Sequence, residues 1–425
     1  MSELAIRGGR VIDPASGLDA EMDLLVRDGR VAEVARGLRA AETIDARGLW
    51  VAPGFIDLHA HLRDPGDPAE ETIESGAAAA AAGGFAAVLA MPNTSPPVDS
   101  PHLVRYVLAR GKEAAGAEVL VAAALTEGRK GERPADIAGL ARAGAVAFTD
   151  DGDEPRSARV MRACMREAAR VGRPVLVHAE EPSLVEDGVM NEGALATELG
   201  LAGRPVLAEE LAVARDIALA RDTSARLHVQ HVSSAAALGL IAAARRAGVN
   251  VTCEATPHHL VLTEEACRGY DPNAKVNPPL RSESDRSALA AALAKGELDA
   301  IATDHAPHAG EEKGLEFDSA AAGIAGLETA LGLVLTEFVA RGALSPVRMV
   351  ELFSTGPARV LGLAELGSLR PGARAHITLV DPAREWVVEP SRFLSRGRNT
   401  PFAGRRLRGR AAMTIAHGRV VFRAD

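Results

Sequence analysis

The chain has little cysteine, no basic cluster and no long apolar run. Only Cys164, Cys253 and Cys267 occur in 425 residues. They lie far apart and without zinc-finger spacing, which argues against a disulfide framework and for buried free thiols in a reducing compartment. The Ala-rich run Ala77–Ala82 is too short to span a bilayer. The N-terminal MSELAIRGGRVID lacks a basic segment followed by an apolar core, so no secretory leader is expected and the expected location is cytoplasmic, away from membranes. Positive charge is in deficit, with 48 Lys and Arg against 57 Asp and Glu, a net charge of −9. That balance argues against nucleic acid as a partner. The most basic stretch, Arg396 to Arg410, is broken by Pro401, Phe402 and Gly404 and reads as solvated surface. Lysine is missing altogether from Gly131 through Ala274.

What is present reads as a large α/β enzyme. The length allows one big domain and a smaller one. Leu4–Ile6, Arg10–Ile12, Asp23–Arg27 and Arg30–Val34 read as short strands, with a hairpin turn at Asp28-Gly29. A matching pattern returns at Ala375–Val380, Glu385–Val388 and Ala411–Phe422, with a turn at His417-Gly418. Neither end suffices alone, so residues 1–52 and 366–425 are expected to form one small β-sandwich domain. Between them, residues 53–365 alternate strand and helix. Buried strands are expected at Phe55–His61, Phe85–Met91, Val119–Thr126, Ala145–Thr149, Pro174–His178, Arg226–Val232, Asn250–Glu254 and Asp299–Thr303. Helical periodicity follows at Glu71–Ala82, Ser157–Val171, Ala235–Ala247 and Ser284–Ala294. Eight such units predict an α/β fold of the (β/α)8 TIM barrel type. The long link Glu181 to Ala225 should hold an extra loop or helix.

Active sites of such barrels lie at the C-terminal ends of the strands. The first strand ends in Asp57-Leu58-His59-Ala60-His61, and strand alternation sends His59 and His61 to one side. The fourth ends in Asp150-Asp151-Gly152, the fifth in His178, the sixth in His231 and the eighth in Asp304-His305. A single histidine there is usually structural. Six metal-competent groups at one barrel mouth instead point to zinc or a similar ion. They are too many for one four-coordinate ion, so two ions with a bridging hydroxide are expected, about 3.5–4 Å apart.

The His-x-His and the later His, His and Asp resemble the amidohydrolase superfamily. GFIDLHAHLRDPG, MPNTSPPVD, AFTDDG, HVQHVS, CEATPHHL, KVNPPLR, ATDHAPH and the closing NTPFAGRRLRGRAAMTIAHGRVVF resemble the type I dihydroorotases, over essentially the whole chain. The resemblance implies reversible cyclisation of N-carbamoyl-L-aspartate to L-dihydroorotate, in pyrimidine biosynthesis. It implies His59, His61, His178, His231 and Asp304 as metal ligands, and Asp304 as general base and then general acid. Many relatives bridge the metals with a carboxylated lysine at the fourth strand, which the missing lysine rules out here. Asp151 is the expected bridge, with Asp150 its rival because the strand register is open.

Substrate binding is implied for Arg63, Asn93, Asn277, His308 and Gly323. Arg63 has the fork geometry for a carboxylate; its plainer reading is a salt bridge to Asp64 or Asp67. Asn277, before Pro278-Pro279, reads otherwise as a turn residue. His258, His259 and His305 are expected to support the ligands, whereas His102, His228, His376 and His417 read as structural or surface. The Gly- and charge-rich stretch His308–Gly326 reads as a loop closing over substrate. Ala321-Ala322 precede Gly323 where the family pattern leads one to expect a bulkier residue and proline. Two alternatives stand: another cyclic amidohydrolase (dihydropyrimidinase, hydantoinase or allantoinase), or a non-catalytic dihydroorotase-like partner of aspartate transcarbamoylase. An active homo-oligomer could also associate with that transcarbamoylase.

Overall fold

Each of the eight apolar runs becomes a strand because each is buried on both faces and bounded by turn-forming residues. A computed structural model describes residues 3–425. The strands are Phe55–Ala60, Phe85–Ala90, Glu118–Ala123, Ala147–Phe148, Val175–Val177, Leu227–Val229, Val251–Ala255 and Ala300–Ile301, paired in parallel in that order. A parallel bridge between Ala60 and His305 joins the last to the first, reinforced by His61 N–H donating to His305 O at 2.8 Å. The barrel is therefore nearly closed, and its closure runs through the residues beside His59, His61 and Asp304.

The helices begin where side-chain caps start them. Thr72, Ser234 and Ser282 each accept a backbone N–H at the start of Ile73–Gly83, Ala235–Arg246 and Glu283–Lys295. In Ile73–Gly83 the alanines Ala77 and Ala79–Ala82 are buried, so the run that is too short for a membrane serves close packing instead. Phe55, Phe85, Phe148, Val177 and Val229 share one core with helix residues Ile73, Val104 and Met161. Ile56, Leu58, Leu89, Leu120, Leu176 and Ala302 form another.

Both chain ends build one eight-stranded sheet. Glu3–Asp13, Leu18–Arg27, Arg30–Ala35, Glu42–Asp45 and Trp50–Pro53 come from the N-terminal side, and Ile377–Val387, Arg406–Ala416 and Arg419–Arg423 from the other. Trp50–Pro53 pairs antiparallel with Ile377–Val380, which stitches the two ends together. The expected Leu4–Ile6 and Arg10–Ile12 are a single strand, interrupted by a bulge between Ile6 and Gly9 where Gly8 takes φ +72°. The link from the fifth to the sixth barrel strand holds Pro182–Val185, Ala194–Leu199, Val206–Thr223 and a two-stranded ribbon of Met190–Asn191 with Gly203–Arg204. No helix among the described residues is long and apolar enough to cross a membrane.

Candidate active site

The strand ends bring four imidazoles and two carboxylates into one buried cluster. His59, His61 and Asp151 offer ligand atoms within 4.8 Å of one another, and so do Asp151, His178 and His231. The two triads share Asp151. Its Oδ1 lies 3.3 Å from His59 Nε2, 3.9 Å from His178 Nδ1 and 4.0 Å from His231 Nε2. Its Oδ2 lies 3.6 Å from His61 Nε2. Asp304 Oδ1 approaches His61 Nε2 at 3.3 Å and His59 Nε2 at 3.4 Å. His178 Nδ1 and His231 Nε2 face each other at 2.9 Å.

Asp150 is turned elsewhere. Its carboxylate accepts from Leu125 N–H at 2.8 Å, Thr126 N–H at 3.1 Å and the Thr126 hydroxyl. Burial pushes its pKa up to about 6 against those bonds. Arg129 donates to the backbone carbonyls of Asp150 and Asp151 and so holds the turn from which one carboxylate enters the cluster and the other, also buried, meets Leu125 and Thr126. His231 and Asp304 adopt φ of +30° and +47°, a region that non-glycine residues occupy at a cost. The bends aim both side chains into the mouth.

The cluster fits a divalent cation. His59 Nε2 and Asp151 Oδ1 are buried without any hydrogen-bond partner. Such atoms are expensive to bury unless an ion or proton donor satisfies them. The electrostatics agree. Burial would raise the pKa of Asp151, but His59, His61 and His178 hold it well below the usual carboxylate range. Burial would lower that of His59, yet Asp151 and Asp304 hold it well above the usual imidazole value. Asp304 is likewise lowered, chiefly by His59 and His61, against its burial. Both carboxylates thus stay charged in a buried site and require positive charge beside them.

Behind the clustered imidazoles lie residues that sequence reasoning missed. Gln230 Nε2 sits 3.0 Å from His59 Nδ1, and Glu254 Oε1 sits 3.7 Å from the same atom. Glu254 Oε2 in turn meets His228 Nε2 at 3.1 Å. Burial opposes its ionisation, but His228 and His59 bring its pKa down to about 2. Glu254 Oε1 makes no hydrogen bond of its own and acts on His59 as a nearby negative charge rather than as a bonded partner. His228, read from sequence as structural, therefore reaches the site through Glu254. Glu180 approaches His178 Nε2 at 3.8 Å and is held by Arg204 at 3.1 Å. Only Gln230 and His228 share a short motif, HVQHVS, with one of the clustered histidines.

The expected substrate residues are arranged around this centre. Asn93 Oδ1 lies 2.8 Å from His61 Nδ1, and its Nδ2 is 3.3 Å from Asp151 Oδ2. Asn277 Nδ2 lies 3.2 Å from His178 Nε2, and its Oδ1 is buried without a partner. Arg63 does not pair with Asp64 or Asp67, as its plainer reading would have it. Its Nε donates to Pro307 O at 3.3 Å, its Nη2 is 3.3 Å from His308 Nε2, and Glu70 is 3.7 Å away. Asp64 instead accepts from the Tyr106 hydroxyl. His308 Nε2 also lies 3.0 Å from Ala322 O. Gly323 N–H donates to Lys275 O at 2.8 Å, so this conformation of the loop directs that N–H away from the centre.

The supporting histidines divide. His258 and His259 are buried on the short helix Pro257–Val261; His259 bridges Thr256 and Pro278 O. His305 turns from the cluster, its Nε2 3.2 Å from Glu71 and its Nδ1 accepting from Gly326 N–H. A third histidine grouping, Glu118, His376 and His417, lies in the seam between barrel and terminal sheet. There Arg374 already binds both Glu118 oxygens, at 2.6 and 2.7 Å, and competes with any cation.

Comparison with known proteins bears on what this arrangement does. Residues 48–237 match the family model described as Dihydro-orotase-like. A dihydroorotase from Pelobacter propionicus is 50% identical over 423 residues, covering 99% of both chains. One from Anaeromyxobacter dehalogenans is 51% identical over 427 residues, covering 99% of this chain and 98% of the relative. Among solved structures, the L-hydantoinase (dihydropyrimidinase) from Arthrobacter aurescens superimposes with a TM-score of 0.88 at 29% identity. That match covers 100% of this chain and 96% of the hydantoinase. The dihydropyrimidinase from Brevibacillus agri gives 0.85 at 25% identity, over 99% of this chain and 95% of the other. The fold is thus shared with these hydantoinase and dihydropyrimidinase structures, and the higher full-length identity lies with the dihydroorotases.

Proposed function

Because this chain belongs to the dihydroorotase family, we propose that its buried His/Asp cluster catalyses the reversible ring opening of L-dihydroorotate to N-carbamoyl-L-aspartate. The chain is a cyclic amide hydrolase. The observation that carries the assignment of the site is the pair of buried triads sharing Asp151. His59, His61 and Asp304 would hold one zinc ion and His178 and His231 a second, with Asp151 between them. Ions held there would polarise the ring carbonyl and lower the pKa of bound water.

The residues of the chain supply the rest. Asp304 takes the proton from the attacking water as the new C–O bond forms. The ring C–N bond then breaks and Asp304 returns that proton to the departing nitrogen, so the carboxylate is regenerated each cycle. Arg63, with Asn93 and His308 beside it, holds the substrate carboxylate; Asn277 faces the ring from the other side, and the Gly323 N–H joins it only where the loop frees it from Lys275 O. A fixed guanidinium favours an acidic ring over the neutral rings of hydantoins. None of the six ligand positions is lost, which disfavours a non-catalytic scaffold.

The three thiols are all free and buried, which supports a cytoplasmic setting. A homo-oligomer and association with aspartate transcarbamoylase are part of the same proposal. Asp304→Asn tests the chemistry: turnover should fall by about three orders of magnitude or more while metal content holds, in line with the upper range for acid–base groups. Retained turnover would remove Asp304 from the proton transfers.

A further inference from the structure

The closing motif NTPFAG contributes a buried amide to the mouth of the barrel, and neither the metal cluster nor the proton transfers use it. Asn399 Nδ2 donates to Ala306 O and to Gly323 O, both at 2.9 Å. Its Oδ1 accepts from His308 N–H at 3.1 Å, and its backbone carbonyl accepts from Ala325 N–H at 2.8 Å. Both donors meet carbonyls and the acceptor meets an N–H, so only one of the two amide orientations satisfies the site. The residue is buried.

Those partners are the backbone of the loop after the eighth strand and of the segment around Gly323. Pro307 lies between Ala306 and His308, and its carbonyl accepts from Arg63 Nε. One amide thus ties together His308, the carbonyl that orients Arg63, and Gly323. Serine or alanine would reach at most part of this set. Aspartate, nearly the same shape, would turn oxygen lone pairs on two carbonyls.

We propose that Asn399 is a positioning residue for the carboxylate end of the substrate site, acting through the Ala306–His308 backbone and Gly323. The inference rests on the reading that Arg63 and His308 hold the substrate carboxylate. The metal ligands and Asp304 make no bond to Asn399, so the effect belongs in substrate affinity rather than in the proton transfers.

The test compares Asn399→Asp, Asn399→Ser and Arg63→Met in the metal-loaded full chain. Asn399→Asp should raise KM for L-dihydroorotate by about tenfold or more, as expected for buried donors lost against carbonyls, with kcat within a few fold and metal content unchanged. Asn399→Ser should raise KM less and speed amide exchange at His308, whose N–H loses its acceptor. A KM within about twofold of the parent for a folded Asn399→Asp would overturn the inference. If that variant does not fold, parental exchange at His308 in Asn399→Ser would overturn it equally. Arg63→Met is the separate control. If it leaves KM unchanged, the carboxylate reading fails and the inference with it; if it raises KM while the Asn399 variants do not, the inference alone fails.

Discussion

Gly323→Ala is the most exacting single substitution. Gly323 has φ +149°, and an added Cβ would lie 2.6 Å from Ala306 Cβ, 2.8 Å from Ala306 O and 3.0 Å from His308 Nε2. Two of these neighbours are fixed to the backbone and cannot rotate aside. The segment must therefore move. It is held by Gly323 N–H to Lys275 O, and by Gly323 O receiving Lys313 Nζ at 3.1 Å and Asn399 Nδ2 at 2.9 Å. Losing one such bond costs about 1 kcal/mol, and the unfavourable backbone adds about 1–3 kcal/mol. The sum, roughly 2–4 kcal/mol, falls on a loop that can relieve it by opening. Part of it should therefore appear as KM, on the order of tenfold or more for dihydroorotate, since about 1.4 kcal/mol is tenfold. Steady-state ring opening with matched metal analysis and thermal unfolding is the assay. Unchanged KM and unchanged Tm together would refute the steric reasoning.

Two further predictions follow from other parts of the molecule. Arg63→Met should lower kcat/KM for dihydroorotate mainly through KM, by about ten- to a hundredfold for a lost charged hydrogen-bond partner; an unchanged specificity constant would remove Arg63 from the carboxylate site. Glu118 joins the third barrel strand to the terminal sheet through Arg374 and through His376 Nε2 at 2.7 Å. Burial raises its pKa, but His376 and Arg374 outweigh this and bring it from 4.5 to about 2. A depressed folded-state pKa gives stability that is present above the unfolded value and lost as pH falls through the folded one. Glu118→Gln should therefore cost about 1–3 kcal/mol at neutral pH, and the difference from the parent should shrink between pH 4.5 and about 2. A difference that ignores pH would show that charge is not its source.

The fold was readable because its signals are local. Apolar runs such as Phe85–Ala90 and helical periodicity such as that of Ser284–Ala294 announce themselves over a few residues. Short strands were not readable: Glu42–Asp45 is largely exposed and exists through its parallel pairing with Leu4–Arg7. The histidines and carboxylates that the structure brings together were legible from their strand-end positions in the same way. The choice between Asp150 and Asp151 was not, because Asp150 is drawn aside by Leu125 and Thr126, more than twenty positions back in the chain. Nor were Arg63's partners, which come from Pro307, His308 and Glu70 rather than from the adjacent aspartates. Glu254, Gln230 and Asn399 are ordinary polar residues in sequence. Only barrel closure puts them behind His59 or across the loop at His308.

The most direct test is ring opening of L-dihydroorotate by the purified protein, in parallel with dihydrouracil, hydantoin and allantoin, before and after chelation and zinc add-back. The expected result is turnover of dihydroorotate alone, lost on chelation and restored by zinc. Turnover of the neutral rings in its place, or full activity after the metal is stripped, would contradict the account.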